Sequence, residues 1–299
     1  MYWNLNMNIY SNKLIMLCID IIGLIFKYLN FGPKHSLKRM SRSTNKYLHI
    51  IDLWNIHDAY LRELSDDILL NYPYVTKLIC DFNRKIKHVN HLKFLKELSI
   101  CYNQCEIKTN KQISELNLIG LRIDNNDGIS KFDHMTNLRY LSWRSSGTNY
   151  HIVNRKSLLN HNLELLIVSN YKVMFDIRHM NRLKYLNLNY QAIINDYDIE
   201  NLDLEYLSMV CTGIIAINHL RNLKFLEVGG YMDIFKKIKY ENIKDLHKLK
   251  SIYVGPDYNG DDIANLKCMK NIKVVYDNPD LIKHDIDIDE KYRDYVFRL

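Results

Sequence analysis

The chain is poor in the residues with which most soluble folds turn and staple themselves. Ten glycines and four prolines among 299 residues disfavour a β-sandwich with many tight turns and argue against low-complexity linkers. The six cysteines, Cys18, Cys80, Cys101, Cys105, Cys211 and Cys268, show no framework spacing, and no Asn-x-Ser/Thr acceptor occurs. Both absences favour a reducing, intracellular compartment, cytoplasmic or nuclear. A spanning hydrophobic run is lacking too. The apolar stretch from Leu14 to Leu29 contains Asp20 and Lys27, is too short to cross a bilayer and has no small-residue cleavage site behind it, so it reads as a buried helix and no membrane partner is expected. No phosphate loop, nucleophile elbow or Cys–His arrangement is visible, so the chain is not expected to be an enzyme or to need a cofactor.

What is present is globular material, 47% hydrophobic and 25% charged, with a formal net charge of +7. The positive residues are scattered, and only Lys34, Lys38, Arg39, Arg42 and Lys46 cluster. A diffuse basic excess supports only non-specific contact, which argues against a nucleic-acid partner. No metal site is expected. Asp285, Asp287 and Asp289 match the first three ligand positions of a calcium loop, but Glu290 stands where Gly is required and Val296 where Glu is required. His88, His91, His134, His179 and His219 each precede a regularly spaced apolar residue, which makes them a repeat slot and not a convergent ligand set.

A short phrase of spaced apolar residues recurs at Leu95–Ile100, Leu138–Trp143, Leu163–Val168, Leu183–Leu188, Leu204–Met209 and Leu223–Val228. Such recurrence marks a solenoid, whose units cannot bury their apolar faces alone. Ahead of each phrase the apolar residues fall every third position, as in Val89, Leu92, Leu95 and Ile217, Leu220, Leu223. That is the period of a 3₁₀ turn, and it switches to the period of two of a short strand. Strand centres are expected near Leu78, Leu98, Leu116, Leu141, Leu166, Leu186, Leu207, Leu226, Ile252 and Val275, giving about ten units over residues 74–278, with 279–299 as a C-terminal cap. The pattern resembles the short-repeat variety of the leucine-rich-repeat family, including the polar residue that family places after the strand. Asn83 and Asn103 fit that slot, while Ser146, Tyr171, Gln191, Thr212 and Tyr231 occupy it elsewhere. The resemblance implies an α/β leucine-rich-repeat solenoid, a curved parallel sheet with short 3₁₀ or irregular convex segments.

Residues 1–73 follow other rules. Leu17, Ile21, Leu24, Ile25, Tyr28 and Leu29 share a helical face, Gly32-Pro33 interrupts, and Leu37, Met40, Tyr47 and Leu48 resume a helical stripe. Residues 51–73 read as a helical linker or N-terminal cap. The stretch Leu17–Leu48 resembles an F-box, with Asp20-Ile21-Ile22, Tyr28-Leu29 and Arg39-Met40-Ser41-Arg42 matching, but Cys18 standing where that family has Pro. The resemblance implies that residues 1–50 form a small helical F-box-like module. Its face of Leu17, Ile21, Ile25, Tyr28, Leu29 and Leu37 would dock on the linker subunit of a cullin-based ubiquitin ligase. The alternative is a helical cap that seals the first repeat.

Strand residues alternate sides, so residues between the phrase positions line the concave face. Tyr140, Arg144, Tyr185, Asn187, Tyr206, Phe225, Glu227 and Tyr253 are the candidate partner-binding residues there. Two readings of the central aromatic stripe stay open together: an exposed hot spot for a protein target, and rings that stack to stiffen the sheet. The expected function is a protein–protein interaction adaptor, a substrate-recognition subunit of an F-box-type ligase, or else a stand-alone repeat scaffold with no link to ubiquitin.

Overall fold

The computed structural model describes residues 52–53, 58–101, 105–126, 128–144, 162–169, 176–189, 194–210, 212–229, 238–255 and 273–276. The F-box-like stretch and the C-terminal cap lie outside these residues. Eleven strands form one sheet in sequential order: β1 (Asp52–Leu53), β2 (Lys77–Ile79), β3 (Glu97–Ser99), β4 (Gly120–Asp124), β5 (Tyr140–Arg144), β6 (Leu165–Ser169), β7 (Tyr185–Asn187), β8 (Tyr206–Val210), β9 (Phe225–Gly229), β10 (Ser251–Val254) and β11 (Lys273–Tyr276). Every pairing is parallel and joins only chain neighbours. This is a repeat solenoid of the leucine-rich-repeat type, with a parallel sheet on one side and short tight turns on the other.

The period of three has a direct cause. Successive apolar residues are tied to one another by backbone i→i+3 bonds: Leu92 N–H to the Val89 carbonyl and Leu95 N–H to Leu92, then Met135 to Phe132 and Leu138 to Met135, and likewise Leu220 to Ile217 and Leu223 to Leu220. Side chains three apart therefore eclipse and point one way, into the core. All are buried, beside the strand leucines Leu78, Leu98, Leu121, Leu141, Leu186, Leu207 and Leu226. Neighbouring coils share a bifurcated bond at each strand start: one carbonyl, such as that of Ile119, accepts from both Arg139 and Tyr140 of the next coil.

Three sequence expectations need correction. The third of the expected strands is centred not on Leu116 but on Leu121, which pairs with Leu98 and Leu141. Leu116 and Leu118 are buried, but they belong to the turn side of the coil, after the 3₁₀ segment Asn110–Ile113. Alternation alone could not separate Leu116-x-Leu118 from Leu121-x-Ile123. The last strand is shifted by one, since Ile252 pairs with Val274 and not Val275; such a slip exchanges the two faces. The sheet also begins earlier than expected. The stretch read as a helical linker contributes β1, whose Leu53 pairs with Leu78, followed by two short helices, α1 (Asp58–Glu63) and α2 (Asp66–Leu69).

The polar slot after the strand works as the resemblance implies. Asn83 Nδ2 donates to the carbonyls of Leu61 and Leu64 in the preceding coil, while its Oδ1 accepts from Lys85 and Ile86 N–H. Asn126 does the same toward the carbonyls of Ile100 and Ile107. It stands five residues after Leu121, the offset of Asn83 from Leu78. Thr212 holds the slot with a single hydroxyl, accepting from Ile214 N–H. Beside Asn126 the coils close so tightly that a β-carbon on Gly128 would lie 1.7 Å from the Lys108 carbonyl oxygen, so only glycine fits there.

Candidate functional site

The face opposite the leucine row carries the predicted partner-binding residues, in columns defined by the pairing register. One column runs Lys77, Glu97, Gly120, Tyr140, Leu165, Tyr185, Tyr206, Phe225, Ser251. The next runs Ile79, Ser99, Arg122, Ser142, Ile167, Asn187, Ser208, Glu227, Tyr253. Placing β4 at Leu121 puts Gly120 and Arg122 in these two columns.

The aromatic stripe is a stack. Tyr185 and Tyr206 lie with centroids 3.9 Å apart and planes within 9°, and Tyr206 and Phe225 follow at 4.7 Å and 5°. Strands about 4.8 Å apart set that spacing, so rings at one register position on consecutive strands meet face to face. The three rings are 2%, 6% and 7% exposed, which corrects the expectation of an exposed hot spot: their faces are spent on one another. Burial pushes the Tyr185 and Tyr206 hydroxyls well above the usual phenol range. At β6 the sheet is closed on both sides, since Leu165 and Ile167 are as buried as Leu166 and Val168.

Two accessible regions flank this closed centre. Toward β5, Tyr140 and Arg144 are partly exposed. Toward β10, Glu227 and Tyr253 are partly exposed and oppose each other in register. The Tyr206 hydroxyl donates to Glu227 Oε2 at 3.2 Å, and burial raises the Glu227 carboxyl above the usual carboxylate range. Asn187 is turned to local use, its Oδ1 accepting from Asn189 N–H at 3.3 Å.

The N-terminal half of the face holds a network the sequence did not reveal. Arg122 Nε donates to Asp124 Oδ2 at 2.9 Å, with both side chains almost fully buried, at 3% and 6% exposure. Asp124 Oδ1 accepts the Ser142 hydroxyl of the next coil. Asp81 repeats the device, accepting from Ser99 Oγ and Cys101 N–H, and so does Asn189, accepting from Ser208 Oγ and Val210 N–H. An Asp or Asn at the strand exit thus staples a serine one coil further on. The signal that would have found Arg122 and Asp124 is Asn126, whose offset defines the strand before it.

Two of the repeat-slot histidines tie neighbouring coils together. His134 Nε2 lies 3.1 Å from the Ile113 carbonyl and His219 Nε2 3.0 Å from that of Ile199, so each ring donates to the preceding coil. No group of three His, Cys, Asp or Glu side chains converges among the described residues. Cys80, Cys101 and Cys105 are buried free thiols, and burial raises all three, Cys105 to about 11. Among the described residues no helix is long and apolar enough to cross a membrane. The predicted docking residues Leu17, Ile21, Ile25, Tyr28, Leu29 and Leu37 lie outside the described residues.

The fold defines the class, a leucine-rich-repeat-type solenoid, and comparison with known proteins gives distant likenesses only. No protein-family profile matches the chain, and no curated protein matches it. Among solved structures, the functional domain of InlJ from Listeria monocytogenes, which includes a cysteine ladder, is similar at 16% identity and a TM-score of 0.42. That likeness covers 70% of this chain, which spans about half of that one, 54%. The Rad7–Elc1 complex of yeast is similar at 15% identity and a TM-score of 0.42, over 85% of this chain and 80% of that one.

Proposed function

We propose that this chain is a protein-binding adaptor whose repeat sheet captures a protein target and whose N-terminal helical module connects it to a cullin-based ubiquitin ligase. The observation that carries the capture half is the second sheet face, where a closed centre leaves Tyr140 and Arg144 on one side and Glu227 and Tyr253 on the other accessible for contact. Tyr and Arg are the side chains that dominate binding hot spots. The ligase half rests on the sequence resemblance alone. Co-precipitation of the full chain, and of a chain lacking residues 1–50, with the linker subunit tests it: retention by the full chain only is expected, and no retention by either overturns it.

A second reading is favoured by β1. Among the described residues the sheet starts at Asp52–Leu53, directly after the stretch whose sequence resembles a helical module, and the first strand of a solenoid has an outer edge that must be covered. On this reading residues 1–50 are a cap and ubiquitin plays no part. Removing them then lowers the melting temperature steeply or causes aggregation, whereas a docking module is lost with little change.

A further inference from the structure

The coils of this array are of two kinds, and they alternate. Along the first column, from Asp52 to Lys273, residues in register stand 25, 20, 23, 20, 25, 20, 21, 19, 26 and 22 residues apart. A long coil is followed by a short one throughout. The convex side divides in the same way. The long coils carry α1 and α2, the 3₁₀ segment Asn110–Ile113, α3 (Asp196–Ile199) and a second 3₁₀ segment, Tyr240–Asn242, while among the described residues the short coils carry no helix. Between β5 and β6 most of the convex side lies outside the described residues. His91, His134, His179 and His219 all fall in short coils, each six residues before the next strand. The long coils have Asn71, Ser114, Leu159, Glu200 and Asp245 at that place.

The bonds between coils give the alternation a cause. The first residue of the convex helix accepts two consecutive backbone N–H groups of the short coil that follows. Asp66 Oδ1 takes those of Lys87 and His88, Asn110 Oδ1 those of Ser130 and Lys131, and Asp196 Oδ1 those of Ile215 and Ala216. The last residue of the helix is met by the histidine, Ile113 by His134 and Ile199 by His219; His91 holds the slot with its Nε2 buried and unbonded. A short coil has no helix of its own, so its turn N–H groups find their acceptors on the helix before it. The other side chains keep the same period. Asp81 takes Ser99 and Asp124 takes Ser142, while Asn83 and Asn126 both reach back from a short coil to a long one. Asp81, Asn83, His91 and Ser99 each return 43 residues later, as Asp124, Asn126, His134 and Ser142.

We infer that the repeating unit of this protein is a pair of coils, 40–48 residues long, in which a helix-bearing coil supports the helix-free coil after it. The solenoid then accepts the loss or gain of whole pairs and not of single coils. This holds whatever the sheet captures.

Excising residues 92–134 joins His91 to Met135 at one slot and removes a pair. It puts Ser142 where Ser99 stood, beside Asp81, so each kind of bond is re-formed. Excising 92–114 or 115–134 removes a single coil. The first sets two short coils together and leaves Ser130, Lys131 and His134 without their helix; the second sets two long coils together and takes Asp124 from Ser142.

Thermal unfolding of the full chain and these three variants, followed by circular dichroism, is the test. The pair excision should unfold in one transition within about 5 °C of the full chain, since a one-dimensional array loses only one unit and one interface. Either single-coil excision, although it removes fewer residues, should melt at least about 10 °C lower or without a cooperative transition. Excision also removes core, so tandem duplication is the second arm: repeating residues 92–134 should leave the melting temperature at or above that of the full chain, and repeating 115–134 should lower it. Single-coil excisions as stable as the pair excision overturn the unit, and so does a pair duplication that melts as low as the single-coil one.

Discussion

The two halves of the second sheet face solve one problem with opposite chemistry. Between β3 and β5 the face is filled by Ser99, Arg122, Asp124 and Ser142, an ion pair and two hydroxyls removed from water. Between β7 and β9 the same backbone, in the same register, carries Tyr185, Tyr206 and Phe225 stacked ring on ring. Rings need only the strand spacing to pack. Charges need defined partners, since each buried group must find its hydrogen bond or leave its desolvation cost uncompensated. The polar half should therefore be brittle and the aromatic half forgiving.

Breaking the ion pair has the largest expected effect. Asp124→Ala leaves Arg122 charged and buried, and a loss of about 3–5 kcal/mol is expected from chemical denaturation. The double change Arg122→Met with Asp124→Leu should recover most of it, because removing both charges removes the unmet need; a double variant as unstable as the single would show that the serines depend on the pair. In the aromatic half, Tyr206→Leu should cost about 1–2 kcal/mol, the ring-pair contribution beyond burial together with a modest packing defect. A cost as large as that of Asp124→Ala would erase the distinction between the halves.

The smallest effect sharpens the comparison most, because its sign depends on pH. Burial raises the Glu227 carboxyl from its ordinary 4.5, so the folded chain holds a proton that the unfolded chain releases. That contribution to stability is fully present below about pH 4.5 and is lost as the pH rises through the folded value. Glu227→Gln, permanently neutral, should therefore raise the melting temperature at pH 7 and leave it unchanged near pH 4. A lower melting temperature at pH 7 would mean that the carboxylate is favourably solvated in the fold.

Alanine substitutions in the ring stack are poor probes of partner binding. Tyr185 and Tyr206 lie face to face and buried, so truncating both removes packing as well as any contact surface, at about 3–5 kcal/mol per large ring. Tyr253 and Arg144 are the better probes. Sequence alternation placed all four on one face, and it could not tell which were already engaged by neighbouring coils.

Much of the architecture was legible because its cause is local. Leu92, Leu95 and Leu98 announce a turn that bonds every third residue and then a strand that alternates, and both periods follow from backbone geometry within a few residues. Asn83 was legible for the same reason, since its side chain completes a turn beginning at its own position. Leu116 was misleading because two candidate strands of equal alternation lie five residues apart, and the choice was made by pairing: Leu121 meets Leu98 and Leu141 at spacings of 23 and 20 residues. From that one shift follow Arg122, Asp124 and Asn126.

The sequence by itself determined the repeat, its two periods, the buried leucines and the tyrosine column, all of which repeat along the chain or follow from neighbouring residues. The tertiary structure alone decided the register of β4 and β11, the sharing of the rings' faces, the pairing of Arg122 with Asp124 and the exposure of Glu227 beside Tyr253. Those depend on which coil lies against which, and on how closely. Side chains some twenty residues apart become neighbours only when the strands stack, and whether a tyrosine is a contact surface or a wall is settled by what stands beside it.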